Sequence, residues 1–316
     1  MITVSQPKLF KFLLVGLPVG LAISVVIALL LYYTEPGRDA PGKDDALRFA
    51  APVTEADLRS AVVRLSETVG PRSLSAEPEA AARARKFVQS SLGADNMGYK
   101  VDVFDRKVGE TECPSVIATL SGKGRSREVI VLAAPYTSVA DSPGASRSAS
   151  GVAALVSIAK VLTGSEHQRT IQFVAYASDA LDPARYDLRG AIRASEDSTV
   201  VAVLNLDSLA FPTRDGGVWE VAVPMIVHSN DDALGTSVVN RFARTTGLRL
   251  TLAPVSSKEV ADPRSFLPTL TFVADVADSP AGSAADVADA YDFSRLTQTV
   301  QKLQRLVERL ANPDGV

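Results

Sequence analysis

The side chains able to do chemistry in this chain are few, and most sit where chemistry is hard to arrange. Among 316 residues there are two histidines and one cysteine. Cys113, in "TECPSV", has no second thiol to pair with, so it forms neither an intrachain disulfide nor part of a cysteine zinc site. With no nucleophile motif around it, it reads as a strand-edge residue. His167 lies in "GSEHQRT", a polar turn, where a solvated ring is expected. His228 closes an apolar run just before "SNDD"; with no ligand motif beside it, a structural role is expected over a pocket role. The serines of "SRSASG" are nucleophiles only beside a base, and the Gly-x-Ser-x-Gly turn that exposes a hydrolase serine is absent.

The elements that must position any site lie between Glu128 and Leu209. Three apolar runs, "EVIVLAAPYTS", "TIQFVAYASDA" and "TVVAVLNLDSL", are rich in β-branched residues. Such runs read as strands buried on both faces. Between the first two lie a small-residue loop, "DSPGASRSASG", and a helical pattern, "GVAALVSIAKVL". A helix-length crossover is what parallel pairing requires. The stretch is therefore the centre of an α/β sheet, and the loops leaving the strands are where such a fold places its chemistry.

The flanks extend that sheet. "VTEADLRSAVVRLSETVG" starts at Thr54, whose hydroxyl is spaced to cap the free N–H groups of a helix ended by Gly70-Pro71. A second helix is expected at about 79–92, then half-exposed strands in "YKVDVF" and "SVIATL". "VWEVAVPMIVH" and "LPTLTFVA" are later strands, and "DDALGTSVVNRFARTTG" is a helix. Phe293, Leu296, Val300, Leu303, Val307 and Leu310 recur at helical spacing, so a terminal amphipathic helix lays one face on the sheet.

Composition narrows the function classes. Hydrophobic content of 46% with 22% charged residues excludes a disordered chain. A net charge of −3 without a Lys/Arg cluster gives no footprint for nucleic acid. Residues 12–33 carry no charge and span about 33 Å as a helix, enough to cross a bilayer core. Lys8 and Lys11 precede the run while mixed charges follow it, which orients residues 1–11 to the cytoplasm and the rest outward. The run is too long for the apolar core of a cleaved signal peptide, so a single-pass anchor in the cell membrane is expected. Residues 34–50, with "TEPGRDAPGKDD", read as a polar tether, and 51–313 as the extracytoplasmic domain.

Taken in order, these motifs resemble the co-catalytic di-zinc aminopeptidases, a family that also includes glutaminyl cyclases and other zinc exopeptidases. The resemblance covers about residues 54–312. "VGPRSLSAEPEAAARARKFVQSSLG" is similar to the family's helical lead-in, "EVIVLAAPYTSV" to its first metal-bearing strand and "PGASRSASGVAALVSIAKVL" to its metal-bridging loop and helix. "RTIQFVAYASDA" resembles the strand with the catalytic acid pair, and "VVAVLNLDSLA" a strand with a further ligand. The resemblance implies a three-layer αβα domain around a mixed, mostly parallel sheet.

It also implies a site whose ligands differ. Where the family has a His-x-Asp, this chain has Pro135-Tyr136-Thr137, and proline ligates nothing. The bridging Asp falls on Arg147, the general base on Asp179 and the metal-binding Glu on Ala180. Asp207 stands at a true ligand position, and the late family His falls near Ala285 in "SAADVADAY". A catalytic zinc takes three protein ligands and an open position, which this set does not supply. Asp207 could equally be a buried carboxylate paired with Arg147, the guanidinium standing in for the metal and neutralising Asp179 as well.

The expected function is thus an aminopeptidase-like pseudoenzyme, with no cofactor, that binds a peptide or a protein partner. The metal-less relative in the eukaryotic GPI transamidase offers a family analogy for such a role. The alternative is an active metal-dependent exopeptidase that holds zinc through an atypical ligand set. A cell-envelope adhesion domain lacks the exposed aromatic clusters it would need.

Overall fold

The long apolar runs become the middle of an eight-stranded sheet because both faces of each run need cover. The computed structural model describes residues 24, 52–105, 107–108, 111–178, 191–192, 197–213, 225–229, 231, 233–238, 240, 250–254, 267–274, 276 and 279–313. The strands are β1 (Val101–Phe104), β2 (Lys107–Val108), β3 (Thr111–Glu112), β4 (Ser115–Leu120) and β5 (Arg125–Pro135). They continue with β6 (Arg169–Tyr176), β7 (Thr199–Ser208), β8 (Met225–Ser229), β9 (Leu250–Pro254) and β10 (Thr269–Val273). The sheet order is β1-β4-β6-β5-β7-β10-β8-β9, with β2 and β3 paired apart from it.

Strands β6, β5, β7 and β10 run parallel, with Ile130 of β5 opposite Ile171 on one side and Ala202 on the other. β4 pairs antiparallel with both β6 and β1, so "SVIATL" and "YKVDVF" are neighbours. β4 is not half-exposed as expected, because between two strands its residues Ser115–Ala118 are all buried. At the far side β8 is antiparallel to β10 and parallel to β9. The sheet is mixed, as expected.

The helices described along their whole length are α1 (Glu55–Val63), α2 (Pro78–Leu92), α3 (Ala149–Leu162) and α4 (Phe293–Ala311). Residues 233–238, in the expected "DDALGTSVVNRFARTTG" helix, are helical as well. Thr54 caps α1, its Oγ1 accepting from the Asp57 N–H at 3.1 Å. α1 runs into a π-helical turn, Arg64–Val69, that ends at Gly70 with φ 79°. Asp292 caps α4 in the same way, accepting from the Arg295 N–H at 3.0 Å. Burying Phe293, Leu296, Val300, Leu303 and Val307 fixes α4 by one stripe, as the spacing requires.

All four helices share one apolar core with alternate strand residues such as Ile130, Leu132 and Ala134. The intervening residues, Val129, Val131 and Ala133, join Ile117, Val174 and Val203 on the opposite face. Among the described residues, Ala191, Ile192 and Leu267 meet that face from outside the strands. The third layer of the expected sandwich thus falls largely outside the described residues, as does the 12–33 segment apart from Ser24. Among the described residues no helix is long and apolar enough to cross a membrane.

One expectation from composition fails. His167 is not solvated but buried, at 7% exposure, although its turn is polar. Its Nε2 lies 2.8 Å from Ser165 Oγ, and its Nδ1 lies 3.1 Å from the Asn312 side-chain amide. Asn312 arrives from the end of α4, a neighbour that local composition cannot reveal. His228 lies on β8 opposite Thr271 of β10, and its side chain is outside the described residues.

Candidate functional site

The carboxyl ends of β5, β6 and β7 open onto one edge of the sheet, where parallel α/β folds form their clefts. β5 ends at Pro135, which is buried and pairs in register with Tyr176 of β6. Tyr136 then leaves the sheet, its N–H donating to the Tyr176 carbonyl at 2.8 Å and its hydroxyl to the Pro114 carbonyl at 2.7 Å. Thr137 Oγ1 donates to the Ser178 carbonyl and accepts from the Ser178 N–H, both at 2.7 Å. A hydroxyl at Thr137 therefore ties two strand ends together.

The loop that follows is held from beneath by Arg72, a side chain with no solvent exposure. Its Nε donates to the Tyr136 carbonyl at 2.9 Å. Nη1 reaches the carbonyls of Leu65 and Gly70, both at 3.2 Å, and that of Pro143. Nη2 reaches the Gly144 carbonyl at 3.0 Å and Ser148 Oγ at 2.6 Å. Every N–H of the guanidinium is engaged, which is what makes a fully buried cation tolerable. Burial pulls its pKa down to about 10, opposed by the Asp286 carboxylate, so it is charged at neutral pH. Gly144 has φ 61°, and a Cβ there would lie 2.7 Å from the Arg147 carbonyl, so the loop needs glycine at that point.

Asp286 holds the loop from the other side. Its carboxylate accepts from the N–H groups of Ser146 at 2.7 Å, Arg147 at 3.3 Å and Gly282 at 2.8 Å. The Tyr291 hydroxyl is a fourth donor, at 2.9 Å. Burial, with the adjacent carboxylate adding to it, pushes the Tyr291 phenol far above its ordinary value and keeps it a donor.

Between these two anchors the chain takes a strained turn. Ser148 has φ 85°, a conformation that costs a non-glycine residue about 1–3 kcal/mol. Its hydroxyl accepts from Arg72, and its N–H donates to the Asp207 carbonyl at 3.0 Å. Arg147, just before it, bridges antiparallel to Ser208. That places the Arg147 guanidinium over the end of β7, with Nη2 3.8 Å from Asp207 Oδ2. The Asp207 side chain is fully buried and that of Arg147 is 17% exposed. Helix α3 starts directly after the turn and lies tight on β7: a Cβ on Gly151 would sit 2.0 Å from the Leu206 carbonyl oxygen.

Of the residues singled out from the sequence, the structure brings together Pro135, Thr137, Arg147 and Asp207. Asp179 and Ala180 lie outside the described residues, immediately beyond Ser178. Ala285 is exposed, while its neighbour Asp286 is the residue turned into the fold. Sequence reasoning misses both Arg72 and Asp286. A lone charged residue in "GPRS" or in "SAADVADAY" carries no periodic signal, and the partners of both are largely backbone groups.

Among the described residues no three His, Cys, Asp or Glu side chains converge as a metal group. Among the described residues at this edge, the donor chemistry does not suit a divalent cation. Zinc takes thiolate, imidazole or carboxylate donors, and of Pro135, Arg147 and Asp207 only Asp207 offers one. The buried carboxylates Asp207 and Asp286 are already balanced by the buried or half-buried cations Arg147 and Arg72. The described residues do not fit a zinc centre.

The comparisons with known proteins agree on the scaffold. Residues 115–218, from β4 to just beyond β7, match the family model described as Peptidase family M28. A zinc aminopeptidase from Bacillus subtilis superposes with a TM-score of 0.66 at 14% identity, covering 84% of this chain and 97% of that one. The LapA aminopeptidase of Legionella pneumophila also gives 0.66 at 14% identity, covering 88% and 78%. The glutaminyl cyclase of Tannerella forsythia gives 0.59 at 16% identity, covering 81% and 99%. No curated protein sequence matches the chain. The resemblance to zinc aminopeptidases and glutaminyl cyclases is borne out in family model and fold.

Proposed function

We propose that this M28-like domain is a non-catalytic binding or scaffolding module, anchored in the cell membrane by residues 12–33 and facing away from the cytoplasm. The observation that carries the reading is the Arg147 guanidinium 3.8 Å from the buried Asp207 carboxylate. A fixed cation at that place supplies the charge a metal would supply, but it cannot bind and acidify a water. Without a metal, water keeps its pKa near 15.7 and yields no hydroxide nucleophile at neutral pH. The cleft at the strand ends then serves recognition of an extended peptide or a partner protein.

The test is made on the full-length chain. Zinc is measured by mass spectrometry, and release from aminoacyl-anilide substrates is followed with and without chelator. The expected result is sub-stoichiometric zinc and no chelator-sensitive turnover. One zinc per chain together with turnover that a chelator abolishes establishes instead an exopeptidase with an atypical ligand set.

A further inference from the structure

A concavity among the described residues lies not at the strand ends but in the helical layer. A cavity of about 910 Å³ opens between α1, α2 and α3, within the size range of small-molecule sites. Its α3 contacts, Val156 to Thr163, begin at the seventh residue after the helix start at Ala149. At 1.5 Å per residue that sets the cavity roughly 10–20 Å along α3 from the Arg147–Asp207 pair.

Its chemistry is that of an amphipathic site. Ala61, Phe87, Met97 and Val156 line it while remaining only partly buried, so apolar surface faces the opening. Phe87 and Met97 are large side chains, and Met adapts readily to irregular ligands. The charged lining residues are Asp57, Lys160 and Arg64. Asp57 and Lys160 neutralise each other at 3.2 Å. Arg64 is exposed and, among the described residues, makes no ion pair, which leaves the rim one positive charge in excess.

One wall is built in an unusual way. Arg64 and Thr68 both belong to the π-helical turn that extends α1. The Gly70 N–H bonds the Leu65 carbonyl at 3.2 Å, five residues back, which widens the helix there. Such turns are rare and collect at functional sites. Arg72 holds the Leu65 and Gly70 carbonyls of this turn, so the wall is fixed before any ligand arrives.

We infer that the three-helix cavity is a binding site for an amphipathic organic anion, the apolar body lying against Phe87, Met97 and Val156 and the anionic head meeting Arg64. The inference is independent of the reading given to the strand-end cleft.

The probe is 4-phenylbutyrate, compared with 4-phenylbutanol and 4-phenylbutylamine, titrated calorimetrically into the full-length protein. The butyrate is expected to bind with a Kd on the order of 0.1 mM, as suits about a dozen non-hydrogen atoms. The alcohol should bind more weakly and the amine more weakly still. Arg64→Glu, on an exposed residue, should weaken the butyrate by about five- to tenfold and spare the alcohol. Ala61→Phe fills the cavity and should abolish both, with circular dichroism reporting that the fold is kept; if it is not, Arg64→Glu decides. Failure of all three probes to bind overturns the inference, as does an amine that binds as tightly as the butyrate. Indifference to Arg64→Glu, or loss of binding in Arg147→Ala, which would put the anion in the cleft, overturns it as well.

Discussion

Two arginines flank the same loop and do opposite things. Arg72 is fully buried and spends its donors on five carbonyls and a serine hydroxyl, with no carboxylate among them. Arg147 keeps 17% of its side chain exposed at the end of β7 and faces a buried carboxylate instead. The first fixes where the loop goes. The second sets the charge that faces Asp207. Here the positioning of the loop and the charge facing Asp207 are carried by separate side chains.

That contrast sets the largest expected effect. Arg72→Met strips the donors from buried carbonyls contributed by the π-helical turn, the strand end and the loop at once. Breaking a buried, fully engaged charge costs about 3–5 kcal/mol, so the urea midpoint should drop sharply or the domain should fail to fold. Arg147→Met should cost less, about 1–3 kcal/mol, since the lost cation is itself partly exposed and faces the buried Asp207 carboxylate at 3.8 Å rather than holding six acceptors. Adding Asp207→Asn should then recover part of the loss, and a double-mutant cycle on the unfolding midpoints measures the coupling. Equal losses for the two arginines, or no recovery in the double variant, would erase the distinction between them.

The same contrast explains what the sequence can and cannot reveal. The strands from Glu128 to Leu209 and helix α4 are legible because burial imposes a period on apolar residues. Thr54 is legible as a cap because a hydroxyl three residues before its donor is a local geometry. Pro135, Arg147 and Asp207 are legible only through family resemblance; nothing in their own spacing marks a site. Arg72 and Asp286 are not legible at all. Their partners are mostly backbone groups, drawn from residues 65–148 and from the Gly282 turn, and backbone groups look alike in every sequence. His167 misleads for a related reason, since its cover comes from Asn312 at the far end of the chain. The widened turn at Arg64–Val69 leaves no mark either, because a five-residue hydrogen bond needs no special residue.

The smallest effect asks whether the scaffold elsewhere follows Arg72 in relying on neutral partners. Tyr99 is buried beside Phe173, edge to face at 5.6 Å, and its hydroxyl donates to the Ala159 carbonyl of α3 at 2.8 Å. Burial pushes its phenol up to about 12 from an ordinary 10. The folded protein therefore keeps this proton while the unfolded chain releases it. Stability from Tyr99 is fully present below pH 10 and is lost as pH climbs from 10 towards 12. At pH 11, midway between the two values, the loss should be about 1.4 kcal/mol, since the unfolded chain has by then gained about a tenfold advantage from releasing the proton. Other groups titrate in the same range, so the quantity to measure is the difference between the protein and its Tyr99→Phe variant. Phe lacks the hydroxyl and should be less stable by about 1 kcal/mol at pH 8. That gap should close as pH approaches 11. A gap that stays constant to pH 11 would mean that Tyr99 ionises alike in both states, and that its bond to Ala159 is not a buried neutral contact of the Arg72 kind.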